Sequence, residues 1–163
     1  MSLRNFPWWT PNAVKFVNNI LTKDSLVLEF GSGGSTPWLC QRVKKVTTIE
    51  HNSIWFKIVQ KTKCSNLDLR LINRPYNTIC DQFKDEFFDF IMVDGRDRVL
   101  CFTSALRTLK KGGWIGLDDS TRIKYKEAWD SVLSWKKLET KNLDPKEAKT
   151  GSRNTWFWEK PSN

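Results

Sequence analysis

Four groups of residues in this chain have the types and spacing to do chemistry. The first is Glu29-Phe30-Gly31-Ser32-Gly33-Gly34-Ser35-Thr36, where an acid precedes a glycine turn and two hydroxyl residues follow it. Glycines at such a turn permit positive φ and let backbone N–H groups approach a ligand. A helix starting there adds unpaired donors and the positive end of its dipole. The second is Glu50, nineteen residues beyond Gly31 and followed by His51. Where strand, turn, helix and strand succeed one another, an acid about 20 residues past the first glycine is placed to take a ribose hydroxyl. The third is Asp94, in Val93-Asp94-Gly95-Arg96-Asp97, and the fourth is the pair Asp118-Asp119. Three carboxylates drawn together cannot all stay charged and uncompensated. One takes up a proton, a basic residue comes between them, or a hard cation such as Mg²⁺ binds them with waters.

The elements that must position these groups alternate between strand and helix patterns from residue 26 onward. This predicts an α/β fold, a Rossmann-like doubly wound sheet of about seven mostly parallel strands with helices on both faces. Strands are expected at Leu26–Phe30, Val46–Glu50, Leu67–Ile72, Phe88–Val93, Trp114–Leu117, Lys137–Thr140 and Thr155–Glu159. Helices are expected at Thr36–Val43, with Pro37 at an early position, and at Ser53–Thr62, Val99–Leu109 and Ile123–Leu133. Gly112-Gly113 reads as a helix C-terminal stop closing the fourth crossover. Near the start, Phe6-Pro7-Trp8-Trp9-Thr10-Pro11 leads into a helical pattern of Val14, Val17, Ile20 and Leu21, expected to pack on the sheet. Ligands in such sheets sit beyond the carboxyl ends of the strands. Asp94, Asp118 and Asp119 should therefore converge on the crevice opened by the glycine loop.

The acid two residues before the first glycine, Glu-x-Gly-x-Gly, resembles the S-adenosylmethionine loop of the class I methyltransferases, and the resemblance extends over nearly the whole chain. It implies that the glycine loop wraps the methionine part of the cofactor and the acid after the second strand holds the ribose. Those roles fall on Glu29, Gly31, Ser32, Gly33 and Glu50, with Ser35, Thr36 and Asp94 completing the set. In that family the residue ending the third strand commonly approaches the adenine, which points to Asn73; His51 would flank the adenosine or act as a base. The resemblance also implies a seventh strand inserted antiparallel beside the fifth.

The carboxylates resemble those of cation-dependent O-methyltransferases of the catechol, caffeoyl-CoA and macrocin types. That resemblance implies a metal set of Asp94, Asp118 and Asp119, in which the cation lowers the pKa of a substrate hydroxyl. Asp119 stands where the catechol type has Asn, and the macrocin type carries a similar Asp-Asp. The catechol type places a catalytic Lys three residues after its metal Asp, whereas here Arg96 comes two later and Asp97 three. A guanidinium stays protonated; it orients an anionic substrate rather than serving as a base. The expected catalytic set is Asp94, Asp118 and Arg96. Its expected reaction is O-methylation of a small molecule or sugar, using S-adenosylmethionine and a divalent cation. Strand-end acids that only cap their loops need no metal.

At 163 residues the chain suits one domain, 1–163, with a helical segment over 1–25 and the sheet core over 26–163. No apolar run approaches the roughly 20 residues that cross a bilayer, and no signal-peptide core follows Met1, so a cytoplasmic protein is expected. Cys40, Cys64, Cys80 and Cys101 are widely spaced, which argues for reduced thiols and against zinc. The net charge of +9 would attract nucleic acid or phosphorylated substrates, yet the lysines sit mostly near predicted helix ends, where cations favour the dipole. Two other classes share the fold. A nicotinamide-dependent oxidoreductase is opposed by Thr36 in place of a third glycine and by Glu29 before the first; a binding protein for nucleotide or nucleic acid would keep the fold without turnover. Trp8 and Trp9 are candidates to cover a substrate. The polar stretch 142–154, carrying Pro145 and Gly151, is expected to be mobile, and it or a second copy of the chain in a homo-oligomer would complete the pocket.

Overall fold

A near-continuous apolar strand, such as Phe-Asp-Phe-Ile-Met-Val over 88–93, is stable only when both faces are covered. The computed structural model describes residues 3–141 and 154–163. Its sheet contains β1 (Leu26–Phe30), β2 (Lys45–Glu50), β3 (Leu67–Leu71), β4 (Phe88–Val93), β5 (Leu109–Asp118), β6 (Lys136–Lys141) and β7 (Asn154–Glu159). The spatial order is β3-β2-β1-β4-β5-β7-β6. Neighbours from β3 to β5 run parallel, and β7 is antiparallel to both β5 and β6. The expected doubly wound sheet is observed, including the last strand beside the fifth.

Pleating sends alternate side chains to opposite faces. Ile91 and Val93 of β4 join Phe30, Leu117 and Trp158 in one apolar cluster, which α4 (Arg98–Ala105) covers with Phe102 and Ala105. Phe90 and Met92 join Val27 and Phe157 on the other face, beneath α1 (Pro11–Ile20) and α2 (Ser35–Cys40). The predicted N-terminal helix packs as expected through Ala13, Val14 and Val17, and Thr10 caps it by accepting from the Ala13 N–H. α3 (Ser53–Gln60) is capped by Asn52, and α5 spans Lys126–Asp130.

Two expectations are corrected. Gly112-Gly113 does not end a helix: both residues lie inside β5. Phe88 pairs with Leu109 while Phe90 pairs with Trp114, so Lys110–Gly113 bulges out of the ladder. Gly112 takes a φ of +72° there, donates to Lys160 O at 2.8 Å, and Gly113 O accepts from Lys160 N at 2.9 Å. A Lys-Lys-Gly-Gly sequence carries the same local signal in a bulge as at a helix end. The expected helix over 123–133 separates into a 3₁₀ turn, Ile123–Tyr125, and the short α5. The unassigned region after Tyr76 is a 3₁₀ helix, Asn77–Gln82. Of the stretch expected to be mobile, 142–153 lie outside the described residues.

Phe157 is fully buried, with its ring centroid 4.9 Å from that of Phe16 and 6.3 Å from that of Phe90. Phe157→Ala is expected to cost about 3–5 kcal/mol of unfolding free energy in urea titrations. A loss below about 1 kcal/mol would mean that β7 does not pack against α1 in this way.

Candidate active site

β1 and β4 are neighbours, so the loops leaving them emerge side by side. Asp94 N–H donates to Phe30 O and Gly31 N–H to Ile49 O, each at 2.9 Å. Gly31 has a φ of +92°, and a Cβ there would lie 2.6 Å from Gly95 Cα, so the two backbones touch where any side chain would separate them. The N-terminal segment crosses the same loop: a Cβ on Gly34 would meet Arg4 O and Phe6 O at 2.3 Å. Beyond these contacts opens a cavity of about 520 Å³. Its walls are Gly31–Ser35, Glu50–Asn52, Asp94–Arg96, Arg98 and Asp118–Asp119, with Trp8, Trp55 and Arg122 completing them. A smaller cavity of about 380 Å³, lined by Cys40, Cys64 and Asn66 among others, contains none of the predicted site residues.

Glu50 faces this cavity with its carboxylate already gripped. Oε2 accepts from Ser32 N at 2.8 Å and Ser32 Oγ at 2.7 Å; Oε1 accepts from His51 N at 2.8 Å and Asn52 N at 2.7 Å. The His51 imidazole stacks on Tyr76, with centroids 5.6 Å apart and planes 9° from parallel. Tyr76 is fully buried, and its hydroxyl donates to Arg96 O at 2.7 Å.

Glu29 and Thr36 do not line the cavity; they hold the loop from below. Glu29 is completely buried. It accepts from the hydroxyls of Ser35, Thr36 (2.7 Å) and Thr48 (2.8 Å), stitching the glycine loop to β2. Burial pushes its carboxyl up to about 7, although the three hydroxyls pull the other way. Asn73 is exposed and stands away from the cavity.

The three strand-end carboxylates do converge, and a basic residue lies among them. Arg98, whose side chain is 12% exposed, begins α4 and lies among them. Its guanidinium donates to Gly95 O (2.9 Å), Asp94 O (2.9 Å), Asp94 Oδ1 (3.1 Å) and Asp118 O, and Asp119 Oδ2 is 4.0 Å away. Asp119, with a φ of +53°, turns instead to Arg122 at 2.5 Å. Burial raises Asp94 well above the ordinary carboxylate range and Asp118 adds to the shift, while Arg98 and the Trp9 indole N–H, 3.3 Å from Oδ2, oppose it. Asp118 Oδ1 accepts from Thr155 Oγ1 at 2.8 Å. Behind it, Thr140 Oγ1 donates to Thr155 O at 2.6 Å and lies 2.6 Å from Thr10 Oγ1. Among the described residues no group of three His, Cys, Asp or Glu side chains is arranged to hold a metal ion. The donor set that resembled a metal site does not fit one, because a guanidinium sits within it.

Arg96 lines the cavity but is exposed. Arg98 is the residue missed by sequence reasoning: it begins α4 after a left-handed Asp97, and that turn, not a helical spacing, carries its side chain back to Asp94. The tryptophans also divide. Trp9 is buried against Trp38, whereas Trp8 is 61% exposed and meets Trp55 edge-on at 6.1 Å beside the cavity. Tyr125 is buried, its ring centroid 5.7 Å from the Arg98 guanidinium carbon.

A family model described as a methyltransferase domain matches residues 28–120, more than half of the chain. No curated protein matches the sequence. Among solved structures, an rRNA methylase from Streptococcus thermophilus is similar with a TM-score of 0.68 at 13% identity, over 90% of this chain and 93% of that one. An S-adenosylmethionine-dependent O-methyltransferase from Thermotoga maritima gives 0.69 at 15% identity, over 94% and 66% respectively. A Streptococcus mutans protein in complex with SAH gives 0.63 at 14% identity, over 89% and 94%. At these identities the likeness is one of fold.

The raised Glu29 carboxyl sets a pH test of the loop's foundation. Its stabilising contribution is fully present below its unfolded value of 4.5 and is lost as pH rises through about 7. Urea unfolding across this range should show the unmodified chain losing on the order of 3 kcal/mol relative to Glu29→Gln, then running parallel to it above pH 7. Profiles that are parallel throughout would mean that Glu29 is not protonated in the folded chain.

Proposed function

The chain belongs to the methyltransferase-domain family and is an S-adenosylmethionine-dependent methyltransferase; from that premise we propose that the 520 Å³ cavity holds the cofactor beside a small hydroxylated acceptor. The observation that carries this reading is that Glu50, the Gly31–Ser35 loop and Asp94–Gly95 wall one cavity. The Gly31–Ser35 loop takes the methionine end, Glu50 the ribose, and His51 with Trp55 the adenine. Ser35, Thr36 and Glu29 act from beneath by fixing the loop. A carboxylate offers about four acceptor sites, and those of Glu50 are filled by three backbone N–H groups and the Ser32 hydroxyl. Ribose binding therefore exchanges the Ser32 hydroxyl, which rotates freely, and leaves the backbone donors in place.

When bound, the cofactor supplies an electrophilic methyl group on sulfur. The chain's residues align an acceptor oxygen with it and receive the proton. Asp94 is the group for that proton: it lines the cavity beside the glycine loop, and burial shifts its carboxyl upward from the ordinary carboxylate range. Asp118, anchored by Thr155, and Arg96 at the wall orient the acceptor. We favour a small molecule or sugar over RNA because two of the three arginines at the cavity, Arg98 and Arg122, are paired with acids there, and a set of lysines lies at the other end of the sheet. Lys44, Lys45, Lys110, Lys111, Lys136 and Lys160 stand at the edge where the parallel strands start, opposite the cavity. Cys40, Cys64, Cys80 and Cys101 are all free and no helix among the described residues is long and apolar enough to cross a membrane, which supports a reducing, cytoplasmic setting.

Calorimetric titration with S-adenosylmethionine, run beside NAD, tests the reading: the first should saturate and the second should not. Glu50→Ala is expected to weaken cofactor binding about 10- to 100-fold, the worth of hydrogen bonds to a charged group. Asp94→Asn should leave that binding within a few fold and lower turnover on a hydroxylated acceptor by about 10²-fold or more. Saturation by NAD alone, or by neither nucleotide, would overturn the assignment of the cavity.

A further inference from the structure

We propose that Arg98 is a built-in cation, a positioning residue that fills the place of a divalent metal in this cleft and makes the site independent of one; this rests on the cofactor reading of the cavity. Every donating nitrogen of its guanidinium points at the acid-bearing loops. Nε reaches Gly95 O at 2.9 Å, one Nη reaches Asp94 O at 2.9 Å and Asp94 Oδ1 at 3.1 Å, and the other reaches Asp118 O. One side chain thus bridges the loop after β4 to the end of β5, the two segments whose carboxylates a metal would otherwise join. Three more of the carboxylate oxygens have partners of their own: Asp94 Oδ2 takes the Trp9 indole, Asp118 Oδ1 takes Thr155, and Asp119 Oδ2 takes Arg122 at 2.5 Å.

A cation such as Mg²⁺ needs near-octahedral oxygen ligands at about 2.0–2.1 Å. To enter here it would have to break the fork of Arg98 hydrogen bonds and stand a few ångströms from a second positive charge, in a place where little water screens the pair. The guanidinium supplies the charge that the carboxylates require but does not coordinate a substrate oxygen or acidify it. It also holds the Asp94 carboxyl in one orientation. The consequence is a division of labour: Arg98 fixes the acids, and the acceptor's proton leaves through a side chain.

The test is a Mn²⁺ titration of the intact chain, followed by electron paramagnetic resonance of the free ion and by the melting temperature. The unmodified protein is expected to show no saturable site, and its S-adenosylmethionine affinity should be unchanged by EDTA. Arg98→Ala should gain one saturable Mn²⁺ site and a melting temperature that rises with Mn²⁺, and adding Asp118→Asn should abolish both gains. Arg98→Lys, which keeps the charge, should remain blind to Mn²⁺. A merely structural arginine would lower stability without creating an ion site. Saturable Mn²⁺ binding by the unmodified chain that Asp118→Asn removes would overturn the proposal, as would a folded Arg98→Ala that gains no site. Should Arg98→Ala fail to fold, Arg98→Gln takes its place with the same expected gain. A failure of S-adenosylmethionine to bind would sink the cofactor reading alone, because the Mn²⁺ result judges Arg98 separately.

Discussion

The cleft depends on one backbone contact, the approach of Gly31 to Gly95. Parallel strands β1 and β4 deliver two loops to the same point, and each loop gives up its side chain there so that the other can pass. Neither loop could keep its course alone. Gly31 needs a conformation that other residues adopt at a cost of about 1–2 kcal/mol, and the Gly95 backbone would clash with any Cβ on Gly31. From this contact the cavity takes its floor, and Glu50, Asp94 and Arg98 take their distances from one another.

A second constraint is electrostatic. Five acids, Glu29, Glu50, Asp94, Asp118 and Asp119, gather at one end of the sheet, and each is stabilised differently. Glu29 is buried and driven toward neutrality, with hydroxyls as partners. Glu50 is held by three backbone N–H groups and the Ser32 hydroxyl, with His51 Nδ1 3.1 Å from Oε1. Asp94 and Asp119 pair with two guanidinium groups, and Arg98 also takes the main-chain carbonyl of Asp118. Acids at similar positions near strand ends therefore play three parts: a structural acid, an acceptor at the cavity wall and a shielded cluster.

The fold was legible because its signals repeat. Seven strand patterns, the glycine turn and Glu50 each agreed with a doubly wound sheet, and a pattern carried by many residues survives local exceptions. The site was legible only in part. Gly31, Ser32, Glu50 and Asp94 announce themselves by standing at strand ends, where the topology alone brings them together. Arg98 did not, because its role arises from which way a helix turns after Asp97, whose φ of +49° no spacing rule reveals. The misreading of Gly112-Gly113 has the same origin: a left-handed glycine looks alike in sequence whether it ends a helix or relaxes a strand. Glu29 shows the reverse, a residue correctly singled out whose side chain points into the protein rather than toward the cavity.

The buried threonine relay behind Asp118 joins residues far apart in the chain. Thr10, near the beginning, meets Thr140, which meets Thr155, close to the end, and Thr155 orients the acid. The glycine loop keeps its course only once the loop after β4 has been made, and Asp118 has no oriented carboxylate until β7 has threaded between β5 and β6. A growing chain therefore acquires the parts of its cleft in a fixed temporal order, the nucleotide side first and the acceptor side last. An incomplete polypeptide would hold a pocket without the means to direct a reaction in it.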